Sequence, residues 1–181
     1  MYFIGNQTLV CNLYMNWLPE LTPFIGYNNW NEYVDFLYDI FKRDFIDDRP
    51  LYLGKPVFFD KKQRDGKPEG FWHLLTDGSY DYCTGQRDTS LLRCERVGWI
   101  RPIIENNQDA EILFWRGPGK RNKEIRHYLF LHNYDYVVIL IERKGIILAT
   151  AFYVNYGHTK RKLLKAYNKY KSKTAPATGT V

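Results

Sequence analysis

"AEILFWRGPGKRNKEIRHYLFLHNYDYVVILIERKGIILATAFYVN", residues 110–155, holds four apolar runs separated by short polar stretches. The runs are AEILFWR, EIRHYLFLH, YVVILIE and GIILATAFYV, and they are rich in the β-branched and aromatic residues that favour strands. Connections such as HNYD and RKG are short enough to join antiparallel neighbours. The third and fourth runs are apolar on both faces, so we expect them at the centre, with the first two nearer an edge. The stretch therefore predicts a four-stranded antiparallel meander.

Helical patterns lie on both sides of this stretch. Residues 29–46, NWNEYVDFLYDIFKRDFI, repeat apolar residues at helical spacing, and Asn29 or Asn31 is the candidate N-cap. Residues 157–171, GHTKRKLLKAYNKYK, form a second amphipathic pattern whose other positions are largely cationic. Its apolar stripe consists of Leu163, Leu164, Tyr167 and Tyr170. We therefore expect an α+β fold, with N-terminal helices packed on the sheet and a basic helix after it.

The middle of the chain predicts a hairpin and a further helix. KPVFFD (residues 55–60) and FWHLLT (71–76) are separated by the polar, Gly- and Pro-containing stretch KKQRDGKPEG, which favours two short strands joined by a loop. Residues 88–101 follow a helical pattern, with Asp88 or Thr89 as the cap, and we expect Pro102 to kink or end that helix.

The length and composition are those of one globular domain. The chain has 181 residues, of which 45% are hydrophobic and 17% aromatic, enough for one good core and too few for two. We expect an N-terminal helical portion over residues 1–50, the main domain over 51–172 and a disordered tail over 173–181.

The charge distribution favours an anionic partner. The formal net charge is +6 and the pI is near 9.1. Residues 158–173 contain seven lysines and arginines and no acid, a stripe typical of nucleic-acid binding, although a surface excess of lysine is the alternative. The residues of this stripe predicted to contact an RNA backbone are Lys160, Arg161, Lys162 and Lys165.

The sequence does not favour a secreted, membrane-bound or cofactor-dependent protein. Its three cysteines, Cys11, Cys83 and Cys94, are odd in number and form no CxxC pair, which favours reduced thiols and a cytoplasmic location. The N-terminus lacks the features of a signal peptide. No apolar run approaches the roughly 20 residues that span a bilayer. P-loop, GxGxxG and HExxH motifs do not occur. We expect no membrane partner, no cofactor and no metal.

Two groups of side chains are candidates for binding phosphate. Arg93 and Arg96 are three residues apart on the predicted helix, where guanidinium groups can bind phosphate oxygens bidentately; the alternative is an exposed face that pairs with Glu95 or solvent. In the second meander strand, Arg126 alternates with Tyr128, Phe130 and His132. These side chains could line a cleft for an anionic chain, or Arg126 could be a rim charge. His127 shares its face with aliphatic residues, which favours a structural role.

His73 is the most ambiguous candidate. A histidine among Phe71, Trp72 and Leu74 is usually a buried ring with ordinary hydrogen-bond partners. In a strand, however, His73 and Leu75 share one face while Trp72 and Leu74 share the other, so the ring need not be buried with its neighbours.

These residue types suit the metal-free cleavage of RNA. In that reaction the ribose 2′-hydroxyl attacks the adjacent phosphorus, a base removes its proton, an acid protonates the departing oxygen, and cations stabilise the intermediate. His, Tyr, Lys and Arg can supply all of these roles, although the composition only permits the reaction.

Two local patterns resemble a known family. KPVFFDKKQRDGKPEGFWHLLT is similar to a strand, a Gly/Lys-bearing loop and an aromatic-x-His-Leu segment, and RCERVGWIRPIIEN is similar to an Arg-x-x-Arg-x-x-Trp-Ile-x-Pro helix. Both resemble the phage-associated nucleases grouped with barnase, EndoU, colicins and RelE, the BECR superfamily. The resemblance covers residues 50–172 and leaves the first 50 unmatched.

The resemblance implies a metal-independent endoribonuclease of toxin or effector type, with the RNA site on the exposed concave face of the sheet. It implies His73 as general base or acid, the two helix arginines, Arg93 and Arg96, as a phosphate clamp, and Tyr153 and Thr150 as orienting hydroxyls. The implied partners are RNA, with tRNA as one candidate, and a cognate antitoxin or immunity protein. Two alternatives stay open: a non-catalytic nucleic-acid- or protein-binding module of phage origin, and a protein that has lost catalysis and inhibits a partner.

Overall fold

A computed structural model describes residues 15–77, 88–119 and 124–174. The predicted disordered tail over 173–181 was wrong at residues 173 and 174, which are helical, and its remaining residues, 175–181, lie outside these ranges. The first 14 residues, with Cys11, and residues 78–87, with Cys83, also lie outside them. The helices are α1 (Trp30–Phe41), α2 (Glu69–Leu75), α3 (Leu91–Cys94), α4 (Ile100–Glu105) and α5 (Gly157–Thr174). The strands are β1 (Leu51–Tyr52), β2 (Lys55–Phe58), β3 (Gln63–Arg64), β4 (Lys67–Pro68), β5 (Thr76–Asp77), β6 (Asp88–Thr89), β7 (Ile112–Pro118), β8 (Ile125–Leu131), β9 (Tyr136–Glu142) and β10 (Ile146–Tyr153).

The main sheet contains the predicted meander and is larger than predicted. Six strands lie in the order β1-β2-β10-β9-β8-β7, and β7 to β10 are paired antiparallel in sequence order, with β9 and β10 inside as expected. The four-stranded prediction was wrong because it omitted β1 and β2. β2 pairs with β10 in parallel, through Val57 and Phe58, and β1 pairs with β2. The α+β class is confirmed.

Helices cover both faces of the sheet. The main core lies between the first face and α1, α2 and α4, and includes Leu37, Phe71, Ile103 and Leu140. A second cluster lies under α5, where Leu163, Leu164, Tyr167 and Tyr170 pack as the sequence predicted. The sheet residues of this second cluster are Leu113, Trp115, Tyr128, Phe130, Val137, Ile139, Ala149 and Phe152.

Helix α1 joins the N-terminal region to the core. Asn29 caps it as predicted, since its side chain accepts a hydrogen bond from the Glu32 N–H at 3.0 Å. The chain continues as a π-helix, Lys42–Asp47. The Phe41 ring, fully buried, lies 5.5 Å from the Phe71 ring of α2 between ring centroids. The N-terminal helical portion therefore shares one core with the sheet.

Two predicted elements were wrong. Residues 71–75 are helical, since α2 covers Glu69–Leu75, and only Thr76 of the predicted strand lies in one, β5. The hairpin lies in the polar stretch itself, as β3 and β4 around Asp65 and Gly66. Both turn residues have positive φ, as a tight two-residue hairpin turn requires.

The predicted helix over residues 88–101 is broken into β6, the short α3 and a 3₁₀ turn, Val97–Trp99, before α4 begins. Ser90, not Asp88 or Thr89, precedes α3. Pro102 lies within α4 rather than ending it, since the first-turn N–H groups of a helix need no partner inside the helix.

Strand β10 has an irregularity. A bulge between Leu148 and Thr150 interrupts the β10 register against β9. Ala149 and Phe152 consequently both pack in the second cluster, which strict alternation would not allow.

In the described ranges, no helix is both long enough and apolar enough to cross a membrane.

Candidate functional site

A cleft of about 590 Å³ opens beside α2, where β8, β9 and β10 lie next to one another. Its apolar lining comes mainly from β9 and β10. Its polar lining consists of Asp60, Lys61, His73, Arg126 and Arg143. Two predicted site residues, His73 and Arg126, thus meet in one cavity with two cations that the sequence did not single out.

Helix α2 directs His73 into this cleft. Phe71, Leu74 and Leu75 are buried in the main core, and at about 100° per residue they occupy one side of the helix. His73 lies on the opposite side, half-buried, and lines the cleft. In a strand, His73 and Leu75 would lie on the same face. In the helix they lie on different sides, with Leu75 in the core and His73 at the cleft.

Gly70 fixes the distance between α2 and the other wall of the cleft. Its N–H donates to the Asp60 carbonyl at 2.9 Å. A Cβ at Gly70 would lie 3.0 Å from the Phe59 Cβ and 3.1 Å from the Asp60 carbonyl oxygen. Glycine therefore allows a close approach that brings His73 beside Asp60 and Lys61.

Arg126 and Arg143 are held together by Glu124, and we call these three residues the Glu124 clamp. Glu124 is 5% exposed. It accepts from Arg143 Nη2 at 2.8 Å and from Arg126 Nε at 3.3 Å. The hydrogen bond from Arg143 is the main reason that the pKa of Glu124 lies below its usual value. The buried carboxylate orients both guanidinium groups at the cleft.

Arg93 and Thr150 contact each other at the end of α2. Arg93 Nη1 lies 3.3 Å from Thr150 Oγ1, 3.3 Å from the Ala151 carbonyl and 3.4 Å from the His73 carbonyl. Its Nη2 pairs with Asp77 at 3.0 Å, and its side chain is 12% exposed. Arg93 thus links the helix that carries His73 to the edge of β10.

Arg96 and Tyr153 form a separate stack. The Arg96 guanidinium carbon lies 4.6 Å from the Tyr153 ring centroid and 5.2 Å from that of Trp99. Its Nη1 donates to the Leu92 carbonyl at 2.8 Å, and the residue is 9% exposed. Neither Arg96 nor Tyr153 lines the cleft. The four predicted catalytic residues therefore lie in three places. His73 lines the cleft, Thr150 contacts Arg93 at the end of α2, and Arg96 and Tyr153 form this stack.

The two meander histidines are fully engaged elsewhere. His127 is 1% exposed, with Nδ1 3.0 Å from the Tyr52 hydroxyl and Nε2 3.0 Å from Glu142 Oε2. Burial lowers the pKa of His127. His132 Nδ1 bonds the Glu111 carbonyl at 3.2 Å in the turn after β8.

Helix α5 presents a cationic outer surface. Lys160 is held by Asp135 at 2.6 Å and donates to the His132 carbonyl. The helix has six exposed cations, and none of them forms an ion pair with the residues that the structure describes. They are Arg161, Lys162, Lys165, Lys169, Lys171 and Lys173.

The cleft and α5 lie on the same face of the sheet. Arg126 alternates along β8 with Tyr128 and Phe130, so the three side chains point to one face. Tyr128 and Phe130 pack under α5, whereas Arg126 lines the cleft. Helix α5 therefore covers part of the face and leaves the cleft at the other end of β8.

No family model, curated protein or solved structure matches this chain. Within the described ranges, no group of three His, Cys, Asp or Glu side chains is arranged to hold a metal ion.

Proposed function

We propose that this protein binds RNA and cleaves its backbone in the cleft that holds His73, without a metal ion. The observation that carries the proposal is that His73, Lys61 and the two arginines of the Glu124 clamp line one cavity. A histidine for proton transfer and several cations for phosphate oxygens are what 2′-hydroxyl attack requires.

In the proposed reaction, His73 removes the proton of a ribose 2′-hydroxyl, and that oxygen forms a bond to the adjacent phosphorus. The bond from phosphorus to the 5′-oxygen breaks, and Lys61 protonates the departing oxygen. Arg126 and Arg143 stabilise the charge on the phosphate oxygens. The products end in a 2′,3′-cyclic phosphate and a 5′-hydroxyl.

The remaining predicted residues have supporting roles in this proposal. Arg93 and Thr150 position His73, because Arg93 contacts both Thr150 and the His73 carbonyl. Arg96 and Tyr153 hold α3 against the end of β10. The exposed cations of α5 contact the RNA backbone outside the cleft.

The resemblance of the sequence to BECR nucleases points to the same activity. We propose that the chain acts as a toxin or effector on cytoplasmic RNA, with tRNA as the first substrate to test, and that an antitoxin or immunity protein is its partner. Growth arrest on expression of the wild type, and not of His73→Ala, tests this biological role.

The test of the activity uses 5′-labelled RNA in excess EDTA. We expect defined fragments with 2′,3′-cyclic phosphate ends, and a rate about 10²–10⁴-fold lower for His73→Ala. His132→Ala is the matched control, since His132 lies in a turn and its side chain hydrogen-bonds, among the described residues, to a backbone carbonyl.

RNA binding is measured in parallel by fluorescence anisotropy. His73→Ala is expected to keep most of its affinity, because the cations still bind phosphate. RNA that is bound and left intact by the wild type would overturn the catalytic proposal and favour the non-catalytic binding module. Equal rates for His73→Ala and the wild type would exclude His73 as the acid or base.

A further inference from the structure

The N-terminal end of α5 carries an aromatic pair that takes no part in either hydrophobic cluster. Tyr156 is 61% exposed, the most exposed tyrosine in the described part of the chain. The His158 ring, also exposed, lies against it with 5.6 Å between centroids and 28° between planes. The other tyrosines of this region, Tyr153, Tyr167 and Tyr170, are packed against the core clusters.

A cation lies beside this pair. Arg161 is exposed, and its Nη1 lies 3.9 Å from the position a Cβ would take at Gly157, the residue between the two rings. Asp135, an acid on the neighbouring turn, is paired with Lys160 at 2.6 Å. The positive charge of Arg161 is therefore not neutralised by a described carboxylate.

We infer that Tyr156, His158 and Arg161, which we call the Tyr156 platform, bind an unpaired nucleobase and its phosphate. An exposed aromatic face stacks on any base, and a guanidinium beside it binds the backbone. The inference rests on the proposed RNA binding and adds that the RNA is single-stranded where it meets the start of α5. The bases of a duplex are paired and stacked within the helix and cannot lie on the platform.

The charge of α5 favours RNA over a protein as the partner of the platform. A protein partner would also cover exposed aromatic rings, but α5 contains many cations and no Asp or Glu, so the surface next to the platform complements a polyanion. Beyond Arg161, the other five exposed cations of α5 continue from the platform along the helix.

The test uses two fluorescent probes, a ten-nucleotide single strand with 2′-O-methyl riboses and inorganic polyphosphate. The methylated strand cannot undergo 2′-hydroxyl attack, so binding is measured apart from cleavage. We expect Tyr156→Ala to weaken binding of the single strand about tenfold, as loss of base stacking does. Binding of polyphosphate, which has no base, is expected to stay unchanged, and Tyr156→Trp is expected to restore the affinity.

Arg161→Gln is expected to weaken binding of both probes and to lower the dependence of log K on log salt by about 0.7. If Tyr156→Ala binds the single strand as the wild type does, or loses both probes equally, the platform is wrong while RNA binding stands. A wild-type chain that binds neither probe overturns both the platform and the proposed function.

Discussion

The Tyr52 hydroxyl lies 3.0 Å from Nδ1 of His127, although three strands separate β1 from β8 in the order of the sheet. The contact exists because the sheet curls until its first strand meets the side chains of its fifth. His127 Nε2 in turn bonds Glu142, which pairs with Lys55 at 3.2 Å. This chain of four residues ties β1, β2, β8 and β9 together.

Protonation of His127 is expected to destabilise the fold. Burial lowers the pKa of His127 below its ordinary 6.5, so below about pH 6.5 the unfolded chain binds the proton more readily. The free energy of unfolding, measured with urea, should therefore fall as the pH is lowered from about 7.5 to 5.5. His127→Gln should flatten this dependence. A rise in stability on acidification would contradict the assignment.

Tyr52→Phe is expected to cost about 1–3 kcal/mol of unfolding free energy, because it leaves Nδ1 of His127 buried without its partner. Tyr128→Phe is the control: that ring stacks on Trp115 with centroids 4.7 Å apart, which the substitution preserves. Similar losses in the two variants would show that the Tyr52–His127 bond has no special contribution.

Gly119→Ala is expected to damage the Glu124 clamp. A Cβ at Gly119 would overlap Cγ and Cδ of Glu124, so the carboxylate would have to move away from Arg126 and Arg143. We expect a loss of about 1–3 kcal/mol in stability together with weaker RNA binding. Gly117→Ala is matched to it, since the nearest heavy atom to its Cβ would be Tyr128 Cε2 at an ordinary 3.6 Å. If both variants behave like the wild type, Glu124 does not set the positions of the arginines.

Arg93→Gln is expected to lower both stability and activity. It removes the charged contacts to Thr150, the Ala151 carbonyl and Asp77, and hydrogen bonds from a charged group contribute about 1.5–3 kcal/mol each. Because Arg93 acts on His73 through the backbone, kcat should fall more than RNA affinity. Unchanged stability with a large loss of affinity would instead make Arg93 a phosphate ligand.

Removing three cations from α5 should weaken RNA binding through its salt dependence. For Lys162, Lys165 and Lys169 replaced by Gln, we expect the slope of log K against log salt to fall by roughly two for single-stranded RNA. Lys42→Gln is the control, because it removes one cation from the π-helix that continues α1, on the opposite face of the sheet. An unchanged slope in the triple variant would exclude α5 from the RNA contact.

The sequence predicted the meander and the packing stripe of α5 because both depend on local periodicity. It failed at residues 71–76, where the apolar run fits a strand as well as a helix. Burial of Phe71, Leu74 and Leu75 in the main core, where Phe71 meets Phe41 of α1, decides between them, and that packing is not local in sequence.

Part of the site could have been found from register. In the β8–β9 pair, Leu131 lies opposite Tyr136 and Ile125 lies opposite Glu142. Extending this register by one residue places residue 124 opposite residue 143. Glu124 and Arg143 follow from that arithmetic once the meander is accepted. The separation of Arg93 from Arg96 does not follow, since it depends on the break after α3 and on packing against β10.

The borders of the sheet have a consequence for the behaviour of the protein in concentrated solution. Strand β1 has only two residues, and β7 is accompanied by α5, whose Tyr167 ring lies 6.2 Å from that of Trp115. Strand β10 extends past its pairing with β2, and there the Ala151 carbonyl accepts a hydrogen bond from Arg93. The β1 border and the exposed part of β10 therefore offer another chain few open backbone groups, and intermolecular strand addition, the first step of amyloid-like aggregation, is disfavoured at these two places.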